Sequence, residues 1–365
     1  MKNTKLLLIG SLLLAICIGA TFIPVVQDQL FIAIGHRYLQ KRFVTEKLFQ
    51  DDALRVLMCG SSGPMADRDR AKACVIVIAG GRYYVVDVGQ ESTENVGSWV
   101  FPMQRIGAVF ITHMHSDHIG ELGEWNLETW VHGRDAPLNV YGPTGIERVV
   151  DGFSEAYAYD ISYRSAHHGS KFLPPEAARM VAHPIAMPGP ETANKDRTVE
   201  AFKLGDLKVT AIEMDHHEVS PAYGYRFDYK GRSVVISGDT AYHLPLAKAA
   251  KGADVLLHEA NAAHLFMLLR EAGKDMPGVE RINQINLDLN NYHTTPVDAA
   301  KIANAAGVHE LVLYHIMPPI LTRLQIPMWM RGVADIRSEG VHLAHDGMLI
   351  EMPLHSNAIN FKDIE

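Results

Sequence analysis

A chain of 365 residues with 47% hydrophobic content can bury a sizeable core in one large domain or two, which excludes a low-complexity or disordered chain. The formal net charge of -8, with no long basic run, argues against a broad basic face for nucleic acid and leaves only a local basic groove open. Three cysteines, Cys17, Cys59 and Cys74, are too few for a disulfide framework.

The N-terminus carries Lys2 and Lys5, then an uncharged run over residues 6–26. That order predicts a signal peptide or an N-terminal membrane anchor over residues 1–27. The protein is then exported, periplasmic or extracellular, or membrane-anchored through residues 6–26 with the lysines inside. In an oxidising compartment Cys59 and Cys74 can pair; buried free thiols are the alternative. Residues 28–53 read as a helical connector, with Leu30, Ile32, Ile34, Tyr38 and Phe43 loosely periodic.

Residues 54–365 form the main domain. Leu54 to Met58 and Cys74 to Ile78 read as strands, and Gly80-Gly81 closes a hairpin into Tyr83-Tyr84-Val85-Val86. Asp87 ends that strand, as a turn residue or as support for the histidine-rich loop downstream. Residues 103–111 lead to that loop, His113-Met114-His115-Ser116-Asp117-His118. A helix is predicted over 122–131, a strand over 138–143 and a helix over 145–157. Residues 160–197 are the least regular part and read as an excursion or a lid.

Strands return at 207–212, before Asp215-His216-His217, and at 222–227 and 233–237, before Gly238-Asp239-Thr240. A further strand at 254–257 runs into His258-Glu259-Ala260. His293-Thr294-Thr295-Pro296 opens a helix over 297–306, with Thr as N-cap and Pro in the first turn. A strand at 310–314 ends in His315. The order of elements fits an α/β protein built as a four-layer αβ/βα sandwich.

Neutral imidazoles and a hard carboxylate packed into residues 113–118 suit a zinc-like cation. His216 or His217, Asp239 and His315 each follow an apolar strand as well. Strand ends converge on one rim of a sandwich, so these residues complete a candidate two-metal set.

The series H-x-H-x-D-H, His, Gly-Asp-Thr, His-Glu-Ala, His-Thr-Thr, His resembles the metallo-β-lactamase superfamily. The turn Gly60-Ser61-Ser62-Gly63-Pro64 and the segments Tyr223-Gly224-Tyr225-Arg226 and Ser237-Gly238-Asp239-Thr240 place the resemblance in the branch holding ribonuclease Z and the arylsulfatase-like hydrolases. It implies the metallo-β-lactamase fold and two divalent ions, zinc by default with manganese or iron as alternatives. His113, His115 and His216 would hold one ion. Asp117, His118 and His315 would hold the other, with Asp239 bridging. His293 would be a catalytic residue, donating a proton to the leaving group or orienting the catalytic Asp117, and His258 and Glu259 would support the ligands. A homodimer is also within what the resemblance implies.

The pattern departs from the tRNA-processing members, which carry a long glycine- and basic-rich arm between the Gly-Tyr-Arg strand and Gly-Asp-Thr. Residues 227–238 here make only a hairpin. His315-Ile316-Met317-Pro318-Pro319 also lacks the usual Ser and Arg. The expected substrate is therefore a small-molecule sulfate ester or phosphodiester rather than nucleic acid. A tRNA 3′-processing endoribonuclease and a non-catalytic metal-binding module are the other readings.

Overall fold

The computed structural model describes residues 22–364, apart from residue 193. The expected signal or anchor over residues 1–27 lies mostly outside the described residues, as does Cys17. Strands form in chain order as β1 (Ala53–Gly60), β2 (Cys74–Ala79), β3 (Arg82–Val86), β4 (Ile106–Phe110), β5 (Leu138–Pro143), β6 (Met180–Ile185) and β7 (Thr198–Leu204). Next come β8 (Leu207–Glu213), β9 (Tyr223–Tyr229), β10 (Arg232–Ile236), β11 (Val255–Asn261), β12 (Glu310–Met317), β13 (Val341–Leu343), β14 (Met348–Pro353) and β15 (Asn360–Asp363). One eight-stranded sheet runs β15-β14-β1-β2-β3-β4-β5-β6, and a seven-stranded sheet runs β13-β12-β11-β10-β9-β8-β7.

The strands read as nearly continuous apolar runs because both faces of each sheet are covered. Alternate residues serve the two sides. Val56, Met58 and Phe110 of the first sheet meet Val209, Phe227 and Leu257 of the second in the central core. The Phe110 ring lies 5.1 Å from Tyr141, 5.4 Å from Tyr225 and 5.6 Å from Phe227, centroid to centroid. Each such pair adds about 0.5–1.5 kcal/mol to the burial itself. On the outer face, Leu57, Ile76 and Val109 pack under the helices Leu122–Val131 and Ile146–His168. Val235, Leu256 and Leu311 pack under Pro296–Ala306, whose N-cap Thr295 accepts the Asp298 N–H at 3.1 Å. The predicted four-layer αβ/βα sandwich is the observed fold.

The helix expected to stop at residue 157 continues to His168. Tyr157 and Ile161 pack against Leu127, Trp130 and Ala177, and Asp160 pairs with Arg164 one turn on at 2.7 Å, so the pattern has no physical break at 157. The expected irregular excursion over 160–197 is shortened by the end of this helix and by β6 but persists among the described residues of 169–179 and 186–197.

Cys59 and Cys74 are joined by a disulfide between β1 and β2. The helix Pro24–Glu46 covers much of the expected connector, and its C-terminal end is tied to the domain. Glu46 pairs with Arg105 at 2.9 Å, and buried Thr45 donates to Val100 O at 3.1 Å. No helix among the described residues is long and apolar enough to cross a membrane.

Candidate metal centre

The cluster begins where β4 ends. Thr112 N donates to Asp87 Oδ1 and Thr112 Oγ1 to Asp87 Oδ2, both at 2.8 Å. Asp87, at the end of the parallel neighbour β3, therefore fixes the first residue of the loop. His118 N bonds His115 O at 3.1 Å, and Val88 N bonds His118 O at 2.7 Å, so the loop folds back on β3 as a single helical turn, Ser116–Ile119. His118 Nδ1 lies 2.7 Å from Asp87 Oδ2. That partner assigns the ring proton to Nδ1 and turns Nε2 inward.

Three further strand ends close the set. His216 follows β8; its Nδ1 lies 3.0 Å from the Tyr292 carbonyl, which leaves Nε2 free. Asp239 follows β10 through Gly238, whose φ is +62°. A Cβ at Gly238 would sit 2.6 Å from Tyr223 O and 3.0 Å from Thr112 Cβ, so glycine is required for Asp239 to enter. His315 lies on β12 at φ 51°, where the β11–β12 register shifts between Glu259 and Asn261. A bulge of this kind re-aims a side chain. Holding the non-glycine residues Asp87 and His315 at positive φ costs about 1–3 kcal/mol each.

These side chains converge on Asp239. Its Oδ2 lies 3.3 Å from His118 Nε2, 3.4 Å from His315 Nε2, 3.8 Å from His113 Nε2 and 4.0 Å from His216 Nε2. Among the described residues two donor groups with no residue in common result, His113–His115–His216–Asp239 and Asp117–His118–His315, and a third, Asp239–His293–His315, links them, the donor atoms within each lying within 4.8 Å of one another. Asp239 Oδ2 reaches into both, as a bridging carboxylate must.

Metal ions fit this geometry. His113 Nε2 and His115 Nδ1 face each other at 2.9 Å, and His118 Nε2 and His315 Nε2 at 3.3 Å. Such opposed nitrogens are reconciled by a shared cation. His216 Nε2 and Asp239 Oδ1 are buried with no partner at all, a cost that a bound ion removes. His115 is exposed, so the centre opens to solvent on that side.

Burial holds the His113 and His115 imidazoles below their usual range and His216 down at about 4, so all three imidazoles are neutral at pH 7, the form that can bind a cation. Burial also opposes charge on His118 and His315, but the carboxylates of Asp239 and Asp117 outweigh it and raise both. Asp87 adds to this at His118. Burial would raise Asp117 and Asp239, yet the surrounding histidines hold Asp117 at about 2 and Asp239 well below the carboxylate range. The carboxylate field that retains those protons is one a divalent cation would occupy in their place.

His293 stands beside the cluster. Its Nδ1 is 3.2 Å from Glu259 Oε1, and its ring stacks on His315 with centroids 5.6 Å apart. The same Glu259 oxygen accepts Thr294 N at 2.8 Å. Of the expected supporting pair, only Glu259 reaches the site. Val255, Leu257 and Glu259 face the sandwich interior, whereas His258 shares the opposite face with Leu256 and Ala260, its Nδ1 2.7 Å from Glu259 O. His217, next to the ligand position, is partly exposed and lies 3.8 Å from Asp215. Thr112 and the Tyr292 carbonyl were not legible as site groups, because each acts through a contact made only in the folded chain.

A model of the beta-lactamase superfamily domain matches residues 87–316. Ribonuclease Z of Mycobacterium bovis (strain BCG / Pasteur 1173P2) is 31% identical over 270 residues, covering 73% of this chain and 87% of that protein. The chain belongs to the metallo-β-lactamase superfamily, in its ribonuclease Z branch. Ribonuclease Z of Mycobacterium marinum is also 31% identical, over 302 residues that cover 82% of this chain and 99% of that one. The crystal structure of the short form of human tRNase Z matches with a TM-score of 0.57 at 21% identity, over 82% of this chain and 100% of that chain. That last likeness concerns the fold alone, and the superfamily is one of metal-dependent hydrolases.

Proposed function

We propose that the protein is a zinc-dependent phosphodiesterase working by ribonuclease Z chemistry. The observation that carries this reading is the pairing of His293 with Glu259 beside a converged donor set, in a chain 31% identical to proteins named ribonuclease Z. His113, His115, His216 and Asp239 would hold one ion, and Asp117, His118, His315 and Asp239 the other. When bound, the two ions supply an activated water and charge stabilisation for the ester oxygens. The chain's own part is to hold neutral imidazoles in place, to keep Asp239 ionised between the groups, and to move a proton. With Nδ1 bonded to Glu259, His293 Nε2 is the ring nitrogen able to protonate the departing oxygen.

The relatives' name points to RNA as the substrate, which runs against the expectation of a small ester. A second reading keeps that smaller substrate, a phosphodiester or aryl sulfate, and two observations favour it. β9 and β10 are joined by the tight turn Lys230-Gly231, where the tRNA-processing members carry their arm. The Cys59–Cys74 disulfide suits a non-reducing compartment, away from precursor tRNA.

The test is a substrate panel on metal-reconstituted full-length protein: a precursor tRNA, bis(p-nitrophenyl) phosphate and p-nitrophenyl sulfate. Cleavage of either phosphodiester, abolished by chelation, supports the proposal. Turnover of the sulfate ester alone would overturn it.

A further inference from the structure

Three apolar features project from the rim that carries the histidine–aspartate cluster, and the mechanism uses none of their exposed apolar side chains. The first is a helical hairpin, Ala263–Gly273 and Glu280–Tyr292, which links Glu259 to His293 and so has both feet on that rim. Phe266 and Leu289 attach it to Met317. Of its other large apolar side chains, Met267, Leu268, Leu269, Ile282 and Ile285 are exposed, while Leu265, Leu287 and Tyr292 are half-buried. The second is the segment following β12, where Leu321 and Leu324 are 76% and 81% exposed. His264 Nε2 lies 2.8 Å from Met328 O and ties these two features together.

The third is the helix Pro24–Glu46. Glu46 pairs with Arg105, immediately before β4 starts, at the rim opposite the cluster. Eight residues earlier, the Tyr38 hydroxyl is 3.5 Å from Gly97 O. Close to Gly97, Asn95 donates to Cys59 O at 2.9 Å and Asp346 at 2.7 Å, at the cluster end of β1. That end is fixed by Ile316 N, which bonds Ser61 O at 2.9 Å. The helix therefore climbs from the far rim towards the cluster rim, and residues 24–37 add roughly 20 Å beyond Tyr38 at 1.5 Å per residue. Phe31, Ile32 and Ile34 are exposed there, Phe31 at 78%. Arg37, Lys41 and Arg42 follow, the order of an apolar segment leaving a lipid interface. The chain preceding this helix is uncharged from residue 6 onward.

We propose that the cluster rim rests on a lipid bilayer, with the 263–292 hairpin and the 318–329 segment seated in the interface and the exposed apolar face of the Pro24–Glu46 helix beside them. A bilayer suits all three features together. Exposed apolar side chains lie on separate projections of one rim, and the one projection that continues in the chain leads into an uncharged run long enough to span a membrane.

Full-length protein carrying Cys17→Ser is reconstituted into vesicles of phosphatidylcholine and phosphatidylglycerol. It is spin-labelled at one introduced cysteine: Leu268→Cys, Ile285→Cys, Leu324→Cys, or Asp206→Cys. Asp206, in the β7–β8 turn, marks the opposite rim. Labels at 268, 285 and 324 should show a several-fold loss of relaxation by an aqueous nickel complex relative to 206, with a matching gain in relaxation by oxygen. Two hairpin positions guard against one variant failing to fold. Equal aqueous access at rim and control positions would overturn the proposal. So would label–label broadening at 268 and 285 that persists in detergent micelles, since it would assign the surface to a second copy of the chain.

Discussion

His293 Nδ1 lies 3.2 Å from Glu259 Oε1, and that oxygen also accepts the Thr294 backbone N–H at 2.8 Å. One carboxylate thus sets both the ring and the backbone that carries it. His293→Ala should lower turnover by about 10²–10⁴-fold on esters with poor leaving groups, and by much less on p-nitrophenyl esters, whose leaving group needs no proton. Metal content should be unchanged. A leaving-group series measured on both proteins checks this; an equal loss across the series would remove His293 from the proton transfer.

Asp87 holds His118 and Thr112 without reaching the donor groups itself. Asp87→Asn keeps the volume but weakens the acceptor for the His118 Nδ1 proton. A loss of about 10–100-fold in affinity for the second ion is expected, read by competition with a chelator. His217→Ala, beside the His216 ligand position, should leave affinity unchanged and serves as the control.

Loading should release protons. His118 and His315 are raised by neighbouring carboxylates, so the metal-free protein retains protons on them that an ion must displace. Raising the pH therefore removes the competing protons and tightens binding, while lowering it through neutrality weakens binding. Titration of apo protein in a weakly buffered solution near pH 7 should show acidification on adding zinc. Uptake with no proton change would contradict this.

The Cys59–Cys74 disulfide closes a 15-residue separation. Cys59→Ser with Cys74→Ser should cost about 3 kcal/mol by release of unfolded-chain entropy, visible as a lowered Tm. The protein should show no free thiol at either position by mass spectrometry after alkylation.

The fold was legible because its strands are apolar runs separated by turns: Gly80-Gly81 closes the expected hairpin, and the hairpin expected within 227–238 turns at Lys230-Gly231. Much of the centre was legible as well, since each donor directly follows such a run. What stayed hidden depended on which way a side chain points. His216 and His217 are adjacent imidazoles, and burial separates them only in the folded chain. His258 and Glu259 cannot both face the cluster, because neighbours on a strand face opposite ways. Parity with Val255 and Leu257 held that answer in the sequence. The partnership of Asp87 with His118 spans 31 residues and that of Glu259 with His293 spans 34, and local pattern carries neither.

The central claim is that Asp239 bridges two ions on which hydrolysis depends. The most direct measurement is metal content by plasma mass spectrometry, paired with turnover of bis(p-nitrophenyl) phosphate, for wild type and Asp239→Asn. About two ions per wild-type chain are expected, fewer in the variant, and turnover lost along with them. Wild-type protein stripped to well under one ion per chain that still turns over at its original rate would contradict the account.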